Sequence, residues 1–127
     1  MSYQSEDESK IIVALDYSNI QNALNLAKQL NPSLCKLKVG LELYISYGPS
    51  IIVELHSLGY KIFLDLKLHD IPNTVMKSCI TAAELGVWML NVHSSGGKNM
   101  MSKAMQAIIQ GNYKTILLGV TVLTSMD

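Results

Sequence analysis

Asp65, Lys67 and Asp70 place two carboxylates and one ammonium within six positions of the segment Phe63 to Thr74, which is otherwise mostly apolar. Side chains alternate faces along an extended strand, so Asp65 and Lys67 point one way while Leu64, Leu66 and Leu68 point the other. Asp70 follows on a loop, where Pro72 holds Ile71 out of helical geometry and forces a turn. A triad of charges is thereby held at the carboxyl end of an apolar strand, the position where sites gather in parallel α/β folds. Such a triad suits electrostatic chemistry, in which fixed charges act on charge developing in a ligand. The competing reading is an exposed ion pair at a strand end, which is common and nearly neutral in energy.

The elements that must position these groups are short β-branched apolar runs alternating with amphipathic stretches. Ile11 to Leu15, Cys35 to Val39, Lys61 to Leu66, Met89 to His93 and Thr115 to Val122 read as five strands of a repeated βα pattern. Ser18 or Asn19 caps a first helix with apolar positions Ile20, Ala23, Leu24, Ala27 and Leu30, stopped by Asn31-Pro32. A second helical region covers Leu41 to Leu58, broken near Gly48-Pro49 and ended by Gly59. A third begins at Asn73 or Thr74 and ends at Leu85-Gly86, and a fourth runs from Gly97 to Gln110. Gly59, Gly86 and Gly111 are expected to serve as left-handed C-terminal caps. Polar residues then fall at the same end of strand after strand: Asp16, Lys38, Asp65 with Lys67, His93 and Thr124. In a (β/α)8 barrel these ends form one mouth.

Composition narrows the ligand. Ten acidic and ten basic residues make the chain formally neutral, without the basic excess that nonspecific binding of nucleic acid or anionic membrane requires. Apolar runs such as Thr115 to Leu123 fall far short of the roughly 20 residues that span a bilayer, so a soluble cytoplasmic protein with a small-molecule ligand is expected. Cys35 and Cys79 lack metal or redox spacing and read as buried thiols. His56, His69 and His93 form no zinc signature, so no metal is expected. Ser95-Gly96-Gly97-Lys98 is not a P-loop, because Val92 stands where its first glycine belongs and Asn99 follows the lysine. A tight turn into the fourth helix is the better reading, and His93 reads as structural.

Asp-Leu-Lys-Leu-His-Asp-Ile-Pro-Asn-Thr, from Asp65 to Thr74, closely resembles the Asp-x-Lys-x-x-Asp signature of the orotidine 5'-phosphate decarboxylase family. Val13 to Asp16, Leu37 to Gly40, Leu85 to His93, Ser95 to Gly97 and Val120 to Ser125 resemble further blocks of that family in its order. The likeness covers residues 11–127 as the N-terminal part of one TIM-barrel domain, α/β in class and reaching roughly strand five of eight, with residues 1–10 as a polar extension. It implies a cofactor-free decarboxylation of orotidine 5'-phosphate to uridine monophosphate, with Lys67 as proton donor and Asp65, Asp70 and Lys38 completing the charged network. Asp16 and Lys38 resemble ribose-binding residues, Thr124 the hydroxyl residue near the pyrimidine, and Ile71 and Thr74 a segment presented to the opposite subunit. Asp70 resembles an aspartate that reaches across a homodimer into the partner's site. Leu68 replaces an aromatic found in many relatives, a departure expected to affect packing only.

Three other readings stay open at this point. Sugar-phosphate decarboxylases and synthases of the same superfamily share Asp-x-Lys-x-x-Asp but need magnesium. A five-stranded doubly wound receiver domain would suit the length, although it needs an acidic pair after strand one and a lysine ending strand five. The third is an inactive or assembly-only barrel fragment. Eight βα units need about 200 to 250 residues, and no residue here takes the roles of the phosphate-gripping arginine or the glutamine lid. Five strands alone are expected to leave Val13, Leu37 and Val120 on a face without an opposite wall.

Overall fold

The structure, a computed structural model, describes residues 9–121. Five strands alternate with helices: β1 (Ile12–Ala14), α1 (Ile20–Gln29), β2 (Lys36–Gly40), α2 (Leu41–Tyr47), α3 (Ser50–Ser57), β3 (Ile62–Leu68), α4 (Pro72–Glu84), β4 (Met89–His93), α5 (Lys98–Gln110) and β5 (Ile116–Val120). The sheet order is β1-β2-β3-β4-β5, the sequence of successive strands around a (β/α)8 barrel. A doubly wound receiver would instead place β1 between β2 and β3, so that reading is set aside. No helix among the described residues is long and apolar enough to cross a membrane.

The chain divides into two compact units, one ending at Phe63 and the other beginning at Leu64. In the first, β1 pairs in parallel with β2, Val13 opposite Leu37 and Ala14 opposite Lys38. Asn19 caps α1 by accepting the N–H groups of Gln21 and Asn22 on its side-chain oxygen. Helix α1 buries Ile20, Ala23 and Ala27, and the Tyr60 hydroxyl donates to the Ala27 carbonyl at 2.6 Å within the same core. The break expected at Gly48-Pro49 separates α2 from α3. Leu37 does not lie on an open face: it is fully buried, as is Val39. Lys36, one residue away, is buried too and spends its ammonium on the Ser9 carbonyl at 2.7 Å. The alternation Lys36-Leu37-Lys38-Val39 sets Leu37 and Val39 on the face opposite the two lysines.

In the second unit β4 pairs with β5 from Met89 opposite Ile116 to His93 opposite Val120. Helices α4 and α5 pack on one another, burying Val75, Cys79, Ala82 and Ala83 from the first and Met100, Ala104 and Ile108 from the second. Helix α4 starts one residue earlier than expected, because Pro72 takes the first helical position, where its missing N–H costs nothing. Ile71 before it is extended, at φ −61° and ψ 149°, as a residue preceding proline should be. Gly59 and Gly86 adopt positive φ where their helices end. Gly111 does not: it stays helical at φ −81°, and the left-handed turn falls on Asn112 at φ 57°. Asparagine tolerates that region because its short polar side chain can bond locally.

Both cysteines are buried free thiols. Burial pushes the Cys79 thiol from its ordinary 9.0 up to about 11. Cys35 moves the same way by burial, and Tyr60 is raised by burial and then by the neighbouring Cys35. From about pH 9 upward the unfolded chain releases thiol protons that the fold retains. Stability from this source is therefore complete below about pH 9 and falls through about pH 11, for Cys79 by on the order of 1.4 kcal/mol per pH unit. Urea midpoints taken across that window should drop less steeply for Cys79→Ala than for the parent. Equal slopes would remove Cys79 as the cause.

Candidate active site

Strand β3 carries Asp65 and Lys67 to one place: Lys67 Nζ lies 2.8 Å from Asp65 Oδ1. The pair is uneven in exposure, the carboxylate side chain 11% accessible and the lysine 40%. A pair this open adds little to stability, about 0–1 kcal/mol, so its geometry matters more than its energy.

That geometry is not the one that strand alternation supplies. Lys67 has φ 50° and, with Asn112, is one of two non-glycine residues at positive φ among those described. An L-residue with a long side chain pays about 1–3 kcal/mol to stand there. The backbone thus leaves the extended region at the lysine itself and redirects its Cα–Cβ bond. Asn91, in the middle of β4 and 1% exposed, meets this bend. Its Oδ1 accepts the N–H of Leu66 at 3.0 Å and of Lys67 at 2.8 Å, and its Nδ2 donates to Asp65 Oδ1 at 2.7 Å. The orientation of the amide is fixed by these partners, since a flip would set NH₂ against two N–H donors and oxygen against a carboxylate.

Asn91 escaped the sequence reading, although a signal was present: an amide sits inside the apolar run Met89-Leu90-Asn91-Val92, where a buried polar side chain must find partners.

The other expected residues are distributed as follows. Asp70 stays outside the Asp65–Lys67–Asn91 cluster, exposed on its loop, with Oδ1 accepting the Ile71 N–H at 2.7 Å. Ile71, 65% exposed, and Thr74 flank it at the start of α4. In the other unit, Asp16 is exposed two residues past β1 and lines a shallow cleft with Tyr17, Gly40 and Glu42. Lys38 is half-buried in β2, and its carbonyl accepts the Leu15 N–H at 3.0 Å. Thr124 lies outside the described residues. His93 is buried and its Nδ1 accepts the Ser95 N–H at 3.1 Å, the structural role expected of it. Its ring stacks on that of His69, centroids 5.9 Å apart. Ser94–Gly96 form a single 3-10 turn that leads through Gly97 into α5, as the tight-turn reading requires.

Chemically, an ammonium fixed against a mostly buried carboxylate can stabilise negative charge arising beside it and can deliver a proton there.

Comparison with known proteins follows the same line. A family model described as "Orotidine 5'-phosphate decarboxylase / HUMPS family" matches residues 9–127. Orotidine 5'-phosphate decarboxylase of Pseudoalteromonas translucida is 55% identical over 123 residues, covering 96% of this chain and 53% of that protein. The protein of the same description from Hydrogenovibrio crunogenus is 48% identical over 127 residues, covering 100% and 54%. The crystal structure of orotidine 5'-phosphate decarboxylase from Lactobacillus acidophilus superposes with a TM-score of 0.85 at 40% identity, over 94% of this chain and 56% of that one. The chain spans about half the length of the relatives it matches.

Proposed function

Because the chain belongs to the orotidine 5'-phosphate decarboxylase / HUMPS family, we propose that it carries the charged half of a site that converts orotidine 5'-phosphate to uridine monophosphate and carbon dioxide. The observation that carries this reading is the 2.8 Å contact between Lys67 Nζ and Asp65 Oδ1, in the segment where the family signature falls. The bond from C6 of the pyrimidine to its carboxylate breaks heterolytically, carbon dioxide leaves, and the electron pair stays on C6. The ring does not delocalise that pair as an enolate would, so stabilisation must come from outside it. Lys67 places a positive charge beside C6 as the pair develops, then transfers a proton from Nζ to C6 and recovers one from solvent. Asp65 holds the lysine in place until then. In this proposal the charged side chains, rather than a cofactor, supply that stabilisation.

Asp16 and Lys38 would bind the ribose hydroxyls and extend the charged network, and Thr124 would face the pyrimidine. Asp70, with Ile71 and Thr74, would serve the site of a second subunit in a homodimer. Its place outside the Lys67 cluster, on an exposed loop with an exposed isoleucine beside it, supports that assignment.

The test is turnover of orotidine 5'-phosphate, without added metal, by a full-length protein that contains these residues. Activity only on a sugar phosphate and only with magnesium would overturn the reading in favour of the family's other branch. The shared site has its own test: a mixture of Asp70→Asn and Lys67→Ala proteins should regain activity that neither has alone, since one of the two sites in a mixed dimer carries neither change. Heterodimers that form and stay inactive would count against it.

A further inference from the structure

We infer that Asn91 is a positioning residue for the proposed reaction: its side-chain amide holds Lys67 in its left-handed backbone conformation and orients the Asp65 carboxylate against the lysine ammonium. The inference rests on the function proposed above for its catalytic consequence, and on geometry alone for its structural part.

Three observations converge on it. First, Lys67 occupies a backbone region that lysine avoids, and it does so within a strand, with no glycine or turn to account for it. A neighbour must over-determine such a conformation. Second, Asn91 Oδ1 takes both N–H groups that the bend at Leu66 and Lys67 turns towards it, at 3.0 and 2.8 Å. Third, the same amide's Nδ2 grips the oxygen, Asp65 Oδ1, that Lys67 Nζ contacts, at 2.7 Å. One buried side chain therefore fixes the backbone from which the lysine projects and the carboxylate towards which it projects. Asn91 is 1% exposed and its three bonds go to the backbone of Leu66 and Lys67 and to Asp65, so its effect is exerted through the residues it holds. Glutamine would be a methylene too long for the same three bonds, whereas aspartate keeps the acceptor and loses the donor.

Variants at 91 separate these roles. Asn91→Ala removes all three bonds: kcat should fall about 100-fold with KM changed less than about threefold, a size comparable to loss of one well-placed hydrogen-bonding group in an active site. The three-bond HN–Hα coupling and ¹³Cα shift of Lys67 should move from positive to negative φ. Asn91→Asp keeps an acceptor for the two N–H groups but sets a second carboxylate against Asp65: the Lys67 shifts should stay near those of the parent while kcat still falls. A merely structural asparagine would lower the melting temperature without changing the Lys67 backbone. If Asn91→Ala folds with either kcat or the Lys67 φ unmoved, the inference is wrong. The parent protein offers a check that needs no variant to fold: Leu66 and Lys67 amides, bonded to a buried oxygen, should exchange with deuterium much more slowly than those of exposed His69 and Asp70. Equal exchange overturns the inference. Should a full-length parent not turn over orotidine 5'-phosphate, the proposed function falls, while the coupling and exchange data still decide the role of Asn91.

Discussion

Lys67→Ala is expected to lower decarboxylation by about 10⁴-fold or more while binding of a uridine nucleotide remains measurable. In the proposed mechanism the ammonium acts on charge that hardly exists in the bound substrate and is fully present only as the C6 bond breaks, so its removal should fall on kcat rather than on affinity. Two effects of the kind normally credited with about 10²–10⁴ each, electrostatic stabilisation and proton delivery, leave together. The fold should persist. The side chain is 40% exposed and its ion pair is worth little, and Asn91 still holds the Asp65 carboxylate. Saturating turnover, nucleotide titration and a melting curve on one preparation separate these consequences. Turnover within tenfold of the parent would end the assignment of Lys67 as proton donor.

A polypeptide of these 127 residues expressed alone is expected to self-associate or partly unfold, with no detectable turnover. At the ends of the strand order, β1 and β5 each offer one side to no strand described here. Unpaired N–H and C=O groups along such edges recruit other strands. The flanking side chains add to the pull: Ile11 is 61% exposed, Ile12 39%, Ile116 46% and Leu118 42%. Burying a large aliphatic side chain is worth about 1.5–3 kcal/mol, and a domain's whole margin is about 5–15 kcal/mol. With each about half in water, the four together forfeit about 3–6 kcal/mol, a large share of that margin. Sedimentation velocity with hydrogen exchange is the measurement. A compact monomer with slowly exchanging β1 and β5 amides, or robust turnover, would contradict the expectation.

Much of this was legible in the chain because it depends on local rules. The βα alternation, the Asn19 cap and the break at Gly48-Pro49 each follow from residues within one turn or one strand of each other. What the sequence hid depends on partners distant in the chain. Leu37 belongs with Val39 on the face opposite Lys36 and Lys38, a side that the alternation in β2 marks but that the number of strands alone does not. Pro72 began its helix, rather than merely preceding it, because a first-turn N–H is dispensable. The left-handed turn after α5 fell to Asn112, since asparagine competes with glycine for that conformation. Lys67 at φ 50° was invisible for the plainest reason: its support comes from Asn91, 24 residues further on.

The strain at Lys67 sets stability and activity against each other at a single codon. Glycine would relieve the backbone outright and asparagine would tolerate it, yet either discards the ammonium. If Lys67 has the role proposed, selection for thermal robustness alone would be drawn to position 67 and would return inactive protein, a case of the trade between stability and activity. If Lys67 acts as proposed, the strained dihedral at this one residue is the trace of that trade, and Lys67→Gly should be more stable than the parent and inactive.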